Sequence, residues 1–365
     1  MNILFLTTHL NTGGITSYLL TLGQALVKKG HRLLVASSGG NCVARFEEAG
    51  IRHVQMNIRT KSEVHPKLLF AWPVLNRLIR QENINIIHAQ TRVTQVLGYG
   101  LSLSCGVKMV TTCHGFFRAR WFRKTFPCWG EAVIAISRPV SHHLNQDFGV
   151  PYEKIHLIAN GIDLNRFVMA DESKRRAIRH KWNIAHEPVI GTIARLSDVK
   201  GIDILIKSMP LVLKERPSAI LMIAGQGPEE ANLRKLTQEL SLIKHVRFEN
   251  IINQPQDILP IFDVFVMPSL MEGLGLSVME AQACGIPVVA SRVGGLVDLI
   301  EDGKSGYLVH SQDETVLAGR ILDIFRHPDH ARAMALQARS NIENHFSEGM
   351  MVEETVKIYE QYSGC

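Results

Sequence analysis

Nowhere does this chain run apolar for the roughly 18 residues that a bilayer-spanning helix requires, so no membrane-spanning helix is expected. The opening MNILFLTTHLN carries no charge ahead of its apolar run, and that run is too short for a secretory signal. It reads instead as a first buried strand. The six cysteines (Cys42, Cys105, Cys113, Cys128, Cys284, Cys365) lie far apart with no CxxC pair. That spacing excludes a zinc ribbon and points to reduced thiols in a cytoplasmic protein. No GxGxxG follows a strand, which argues against a dinucleotide cofactor. There is no Asp-x-Asp and no acidic cluster to hold a metal–diphosphate, so ligand binding without a metal or other cofactor is expected. Short-period repeats and low-complexity segments are also absent.

What is present suits two or three domains with real cores: 365 residues, 46% hydrophobic and 20% charged. The net charge of +6 is unevenly spread. Residues 1–165 hold 18 Lys/Arg against 8 Asp/Glu, and the remainder 22 against 26. The first half is thus expected to meet something acidic, such as anionic lipid, an acidic glycan or nucleic acid. The plainer alternative is a solvated surface of mixed charge.

Strand-like and helix-like segments alternate throughout, which implies an α/β chain with parallel sheets covered on both faces. In the first half, strands are expected at 3–7, 32–36, 84–88, 108–113, 132–136 and 155–158, and helices at 15–29, 42–49 and 66–81. Gly13-Gly14 follows the first strand, either as a ligand loop at a helix N-terminus or as a tight turn. His114 stands where a parallel strand ends, the edge at which such sheets place ligands. His142, His143 and His156 have no ligand spacing and read as structural or surface residues. Residues 116–129 interleave six aromatics with four cations and no acid. Arg118, Arg120, Trp121, Phe122, Arg123 and Lys124 form the centre of that segment. It suits a membrane interface, with aromatics inserted and cations on anionic headgroups, or stacking on an acceptor sugar. Packing of the aromatics into a core is the alternative, and nucleic acid is not expected.

The polar stretch 168–187 is the expected domain boundary. Beyond it the alternation restarts. Strands are expected at 189–194, 219–224, 246–248, 264–267, 288–291 and 306–309. Helices are expected at 202–216, with Pro210 kinking it, and at 229–240, 255–261, 277–284, 313–328, 329–345 and 350–362. The two halves read as similar βα domains in tandem with a cleft between them. Asp263–Val293 concentrates the chemistry: a strand, a glycine loop, a helix stopped by Gly285, and a second strand. Gly273–Ser277 opens that helix, so its N–H groups can face an anion. Glu272 in the loop and Glu280 one turn into the helix can accept hydrogen bonds from vicinal hydroxyls of a hexose or ribose. Arg195 and Lys200, five apart in one loop, can clamp a diphosphate. The plainer alternative is a solvated loop for Arg195 and Lys200, and a helix-start acid plus a surface acid for Glu272 and Glu280.

Taken together, the residues resemble a retaining glycosyltransferase of family 4. Glu272-Gly-Leu-Gly-Leu-Ser-Val-Met-Glu280 is similar to the family's Glu–seven–Glu signature. It sits within PSLMEGLGLSVMEAQACGIPVVAS and precedes Gly294-Gly295. ARLSDVKG at 194–201, AGQGPE at 224–229, Asn160-Gly-Ile-Asp163, Gly13-Gly14 and His114-Gly115 match its other motifs. The resemblance implies a GT-B fold: two Rossmann-like domains facing a central cleft, with the last helix crossing back to the first. It implies an acceptor domain at 1–167 together with 346–365, and a donor domain at 168–345. By the same resemblance Arg195 and Lys200 bind the donor diphosphate. Glu280 holds the ribose, while Glu272 and the amides of Gly273, Leu274, Gly275 and Leu276 face the donor sugar and phosphate. Gly225, Gly227 and Ile251 border the base, Gly14 approaches the phosphates, and His114 contacts the sugar near its reacting carbon. The implied reaction moves a hexose from a UDP-type nucleotide sugar to a glycan or lipid-linked acceptor. It proceeds with retention and without a metal, in lipopolysaccharide or cell-envelope synthesis at the inner face of the cytoplasmic membrane. A nucleotide-sugar epimerase of the same fold, or a non-catalytic nucleotide-sugar-binding protein, is the alternative.

Overall fold

The computed structural model describes residues 1–60, 62–119, 121–250 and 254–363, apart from the Phe122 side chain. The chain divides into two compact units. Unit 1 is 1–161 with 348–365, and unit 2 is 162–347.

Unit 1 is a seven-stranded sheet of order β3-β2-β1-β4-β5-β6-β7, with every pairing parallel. Its strands are β1 (Asn2–Leu6), β2 (Arg32–Ser37), β3 (Arg52–Gln55), β4 (Ile86–Ala89), β5 (Lys108–Cys113), β6 (Ala132–Ala135) and β7 (Ile155–Leu157). Its helices are α1 (Gly14–Lys28), α2 (Val43–Glu48), α3 (Pro66–Gln81), α4 (Arg92–Cys105), α5 (Trp121–Thr125) and α6 (Arg138–Phe148). In the central strand β1 the side chains alternate between two cores. Ile3 and Phe5 join α1 and the C-terminal helix on one face, and Leu4 and Leu6 join α3 and α4 on the other. That is why β1 is an unbroken apolar run.

Unit 2 has six strands in the order β10-β9-β8-β11-β12-β13, again all parallel. They are β8 (Val189–Ile193), β9 (Ile220–Ala224), β10 (Val246–Glu249), β11 (Val264–Met267), β12 (Val288–Ser291) and β13 (Tyr307–Val309). Around them stand α7 (Glu172–Lys181), α8 (Ile202–Glu215), α9 (Glu230–Glu239), α10 (Leu276–Ala283), α11 (Leu296–Leu299), α12 (Glu314–Arg326) and α13 (Pro328–His345). Pro210 lies inside α8, which continues through it. The helix expected at 255–261 is two 3-10 turns, Pro255–Asp257 and Leu259–Ile261. Asp263, just before β11, fastens α7 to this sheet: it pairs with Arg175 at 2.5 Å and accepts from Val189 N at 2.7 Å.

The last helix, α14 (Glu348–Ser363), belongs to unit 1, where Met351, Val352, Ile358 and Tyr359 enter its core. The unit boundaries differ from the expected ones. Residues 162–167 and 346–347 belong to unit 2, because Ile162 bridges Ser347 and donates its N–H to Phe346 O at 2.9 Å. The polar stretch 168–187 is therefore inside unit 2 and contains α7. Four elements of unit 1 were not expected: β3, α4, α5 and α6. Helix α4 carries two glycines and several β-branched residues, which hide its periodicity. Its start is nevertheless set by a capping box between Thr91 and Thr94.

Candidate functional site

A doubly wound sheet binds ligands beyond the carboxyl ends of its strands, where the strand order reverses. In unit 2 that point lies between β8 and β11. The loop after β8 carries Arg195 and Lys200, and the loop after β11 carries Glu272 and leads into α10. The two loops are laced together. Leu270 N donates to Val199 O at 2.8 Å, and the segment after β12 joins them through Gly295 N, which donates to Glu272 O at 3.1 Å. Gly201 sits at φ 61°, where an added Cβ would stand 2.1 Å from Pro268 O, so only glycine allows this approach.

Lys200 and Glu272, assigned separate ligands on sequence, are bonded to each other. Lys200 Nζ lies 2.5 Å from Glu272 Oε2, and Ser269 Oγ donates to the same oxygen at 3.3 Å. Both side chains are largely buried, so screening of the pair by solvent is reduced. Arg195 is exposed, and its side chain has no hydrogen-bond partner among the described residues.

The Gly225–Gly227 loop has a structural duty beyond any contact with a base. A Cβ at Gly225 would meet Ala194 O at 1.9 Å, and one at Gly227 would meet Leu196 O at 2.0 Å. Leu196 N donates to Gln226 O at 3.0 Å. These glycines let β9's exit lie flat against the loop that holds Arg195. Ile251 falls outside the described residues.

Helix α10 starts one residue earlier than expected. It is entered through Gly275 at φ 105°, and no side chain caps it. Its first N–H groups are thus left for another acceptor. Leu274 is buried, while Glu272, Gly273, Leu276 and Ser277 are half-buried. Glu280 is buried in the first full turn, with no hydrogen bond to its carboxyl among the described residues. Burial raises its pKa from 4.5 to about 7, against the opposing pull of the Arg166 guanidinium. A surface acid is therefore excluded.

Unit 1 has its reversal between β1 and β4. Gly14 opens α1 just after β1, and a Cβ there would meet no atom within 4 Å. The tight-turn account of that glycine is thus unsupported by its surroundings. His114, half-buried after β5, ends a chain of polar groups. Its Nε2 lies 2.8 Å from Gln90 Oε1. Gln90 Nε2 in turn donates to His88 O at 3.4 Å. With a carboxamide oxygen as partner, His114 Nε2 carries the proton and Nδ1 keeps its lone pair. His88 is fixed by Tyr359 OH at 2.6 Å and Thr112 Oγ1 at 2.7 Å, and Tyr18 OH reaches Thr112 Oγ1 at 3.2 Å. Burial lowers both His88 and His114 to about 3, so both rings are neutral. It also raises the Tyr18 and Tyr359 phenols, keeping them protonated. Sequence reasoning missed Gln90, His88, Thr112 and Tyr359. Of these, Gln90 had one usable signal: it stands directly after β4, at the reversal point.

The segment after His114 splits in two. Arg118, Trp121 and Lys124 are exposed. Arg123, expected to contact membrane or acceptor, is turned inward. It pairs with Glu63 at 3.7 Å and stacks 4.7 Å from the Phe117 ring centroid. Trp129 is buried, and Phe116 lies edge-on to His143 at 5.3 Å. Arg120 and the Phe122 side chain lie outside the described residues. His143 is structural, accepting from Phe117 N at 2.9 Å and meeting Asp147 at 2.6 Å. The five described cysteines are free. Among the described residues no helix is long and apolar enough to cross a membrane, and no group of three or more His, Cys, Asp or Glu is placed to hold a metal.

Two parallel-sheet Rossmann-like units, one carrying paired Glu272 and buried Glu280 beside Arg195 and Lys200, define a glycosyltransferase of the GT-B class. Comparison with known proteins agrees. The profile "Glycosyl transferases group 1" matches residues 174–341, and "Glycosyltransferase Family 4" matches residues 12–166. The chain belongs to the family 4 glycosyltransferases. Among curated relatives it is 29% identical over 351 residues to the GDP-mannose-dependent alpha-(1-6)-phosphatidylinositol monomannoside mannosyltransferase of Mycolicibacterium smegmatis, covering 90% of this chain and 89% of that protein. Among solved structures, Anabaena HepE in complex with UDP-glucose superposes with a TM-score of 0.89 at 22% identity, covering 99% of this chain and all of that one. WaaG, a glycosyltransferase involved in lipopolysaccharide biosynthesis, superposes with a TM-score of 0.79 at 14% identity over the full length of both chains.

Proposed function

We propose that this glycosyltransferase moves a hexose from a UDP-linked sugar, with retention of configuration, to a glycan or lipid-linked acceptor of the cell envelope, of the lipopolysaccharide type. The work is placed at the inner face of the cytoplasmic membrane. One observation carries the donor reading: Arg195, the Lys200–Glu272 pair, the uncapped start of α10 and buried Glu280 all gather at the strand-order reversal of unit 2. HepE's complex with UDP-glucose supports the nucleotide, and WaaG supports the class of acceptor. The curated mannosyltransferase, which is GDP-mannose-dependent, makes GDP the competing base.

In this proposal the donor diphosphate takes Glu272's place on Lys200 and joins Arg195. Two cations then neutralise the charge that develops on the departing phosphate. Released from Lys200, Glu272 accepts from hydroxyls of the donor sugar. The amides from Gly273 to Leu276, at the entry to α10, face phosphate and sugar. Glu280 accepts from the ribose hydroxyls, and residues 225–227 border the base. In unit 1, Gly14 and His114 are the residues that the resemblance implicates, with Gln90 fixing the imidazole. No carboxylate is assigned as nucleophile: the departing phosphate takes the acceptor's proton on the same face. Charge neutralisation by Arg195 and Lys200 makes a metal unnecessary for donor binding. A screen of UDP- and GDP-sugars for slow hydrolysis tests the proposal. Release of a free hexose from one UDP-sugar is expected. Turnover of GDP-sugars alone would overturn the base assignment, and isomerised sugar with no hydrolysis would overturn transferase chemistry.

A further inference from the structure

Helix α3 is apolar on two faces. Leu68, Ala71, Leu75, Leu78 and Ile79 enter the unit 1 core. On the other side Leu69 and Phe70 are 74% and 79% exposed, and Val74 is 53% exposed. Pro66 and Pro73 are also exposed, at the spacing that puts all five residues on one side of the helix. The outward face of a helix on a globular protein is normally polar, and among the described residues nothing covers this one.

Trp121 and Phe126, the exposed large aromatics among the described residues of the segment after His114, are fastened to the start of α3. Glu63 pairs with Arg92 at 3.0 Å and with Arg123 at 3.7 Å, and Arg92 donates to the carbonyls of Phe126 and Pro127 at 2.6 Å each. The charges are one-sided. Residues 59–80 and 116–129 hold nine Lys/Arg between them and a single acid. That acid is Glu63, which both arginines turn inward.

We propose that this surface docks on an anionic lipid bilayer. Leu69, Phe70 and Val74 would lie in the boundary between headgroups and acyl chains beside Trp121 and Phe126, with the surrounding cations on lipid phosphates. A soluble acidic glycan supplies the negative charge but nothing to bury a leucine, a phenylalanine and a valine. A second copy supplies apolar surface, but a self-complementary interface would set cation against cation with no acid to relieve it. A bilayer of anionic lipid satisfies both requirements. The experiment below involves no nucleotide sugar, so it stands or falls separately from the proposed function.

The test is co-sedimentation of the full chain with phosphatidylcholine vesicles, with and without phosphatidylglycerol. It compares the wild type with the double variant Leu69→Ser/Phe70→Ser. Both side chains are solvent-exposed, so melting temperature and far-ultraviolet circular dichroism should be unchanged. The wild type is expected to bind only the vesicles containing phosphatidylglycerol. The double variant should partition at least about tenfold more weakly, since each large apolar side chain withdrawn from an apolar phase costs about that much or more. Three outcomes would each overturn the proposal. The double variant could bind as the wild type does, or the wild type could fail to bind anionic vesicles. Alternatively, sedimentation equilibrium could show a dimer of the wild type that the double variant abolishes.

Discussion

Units 1 and 2 solve the same topological problem with opposite chemistry. Each is a parallel sheet wound in both directions, and each places candidate groups just past the strands where the order reverses. In unit 2 those groups are ionisable: an arginine, a lysine held by a glutamate, and a second glutamate buried with no hydrogen bond to its carboxyl among the described residues. In unit 1 they are neutral and joined by hydrogen bonds: His114 on Gln90, and His88 between Tyr359 and Thr112. A network of neutral groups positions without attracting, whereas buried or paired charges wait for a ligand that carries charge and hydroxyls. Under the proposed function, unit 2's charges hold the donor, and unit 1's neutral network holds the His114 imidazole in place.

The two units were also unequally legible in the sequence. In unit 2 the chemistry is local: Glu272 and Glu280 are eight residues apart, Arg195 and Lys200 five, and β11, α10 and β12 fall within a residue of their expected limits. What sequence could not show is that Lys200 and Glu272, 72 residues apart, share a hydrogen bond. Nor could it show that Gly225 and Gly227 are required by the carbonyls of Ala194 and Leu196. In unit 1 the informative contacts are long-range. His88 and Tyr359 are 271 positions apart, so no pattern links them. The four cations after His114 looked equivalent, but Glu63, some 60 residues earlier, claims Arg123. The outward apolar face of α3 was masked because its residues count as core by composition alone.

The largest effect expected, and the strongest way to break the comparison, comes from Lys200→Ala. Removing one cation from the departing phosphate should lower kcat/KM for the competent donor by about 10²–10³-fold. A variant within threefold of wild type would mean that the charged corner of unit 2 is not where the phosphate leaves.

Acid should weaken unit 1 selectively. His88 and His114 have pKa values lowered to about 3 in the folded state, so they favour folding above their unfolded value of about 6.5. That contribution falls as pH drops from 6.5 towards 3, by about 1.4 kcal/mol per pH unit for each ring. Protection factors of β4 and β5 amides, with the intrinsic exchange rate at each pH divided out, should fall below pH 6, while those of β11 and β12 change less. An equal fall in both sheets would contradict the contrast.

Unit 2 should show the opposite slope. The Glu280 pKa is raised to about 7, so its contribution is full below about 4.5 and is lost as pH rises through 7, roughly 3 kcal/mol in all. Urea denaturation followed through unit 2 should flatten across that range in Glu280→Gln. An unchanged profile would show that the carboxyl is not desolvated.

The smallest effect on stability sharpens the role of Gly14. A Cβ there meets nothing, so Gly14→Ala should change folding free energy by less than about 1 kcal/mol. If a ligand's phosphates come against this backbone, the donor KM should nevertheless rise several-fold. An unaltered KM would leave this glycine outside the donor site.

The central claim is that Arg195, Lys200, Glu272 and Glu280 form one nucleotide-diphosphate site, and calorimetric titration with UDP tests it most directly. Wild type should bind, and Lys200→Ala should bind at least tenfold more weakly. Wild-type affinity should also rise as pH passes through about 7, because ribose hydroxyls favour the ionised Glu280 carboxyl, and Glu280→Gln should abolish that pH dependence. UDP binding that is equally tight in both variants and flat with pH would contradict the account.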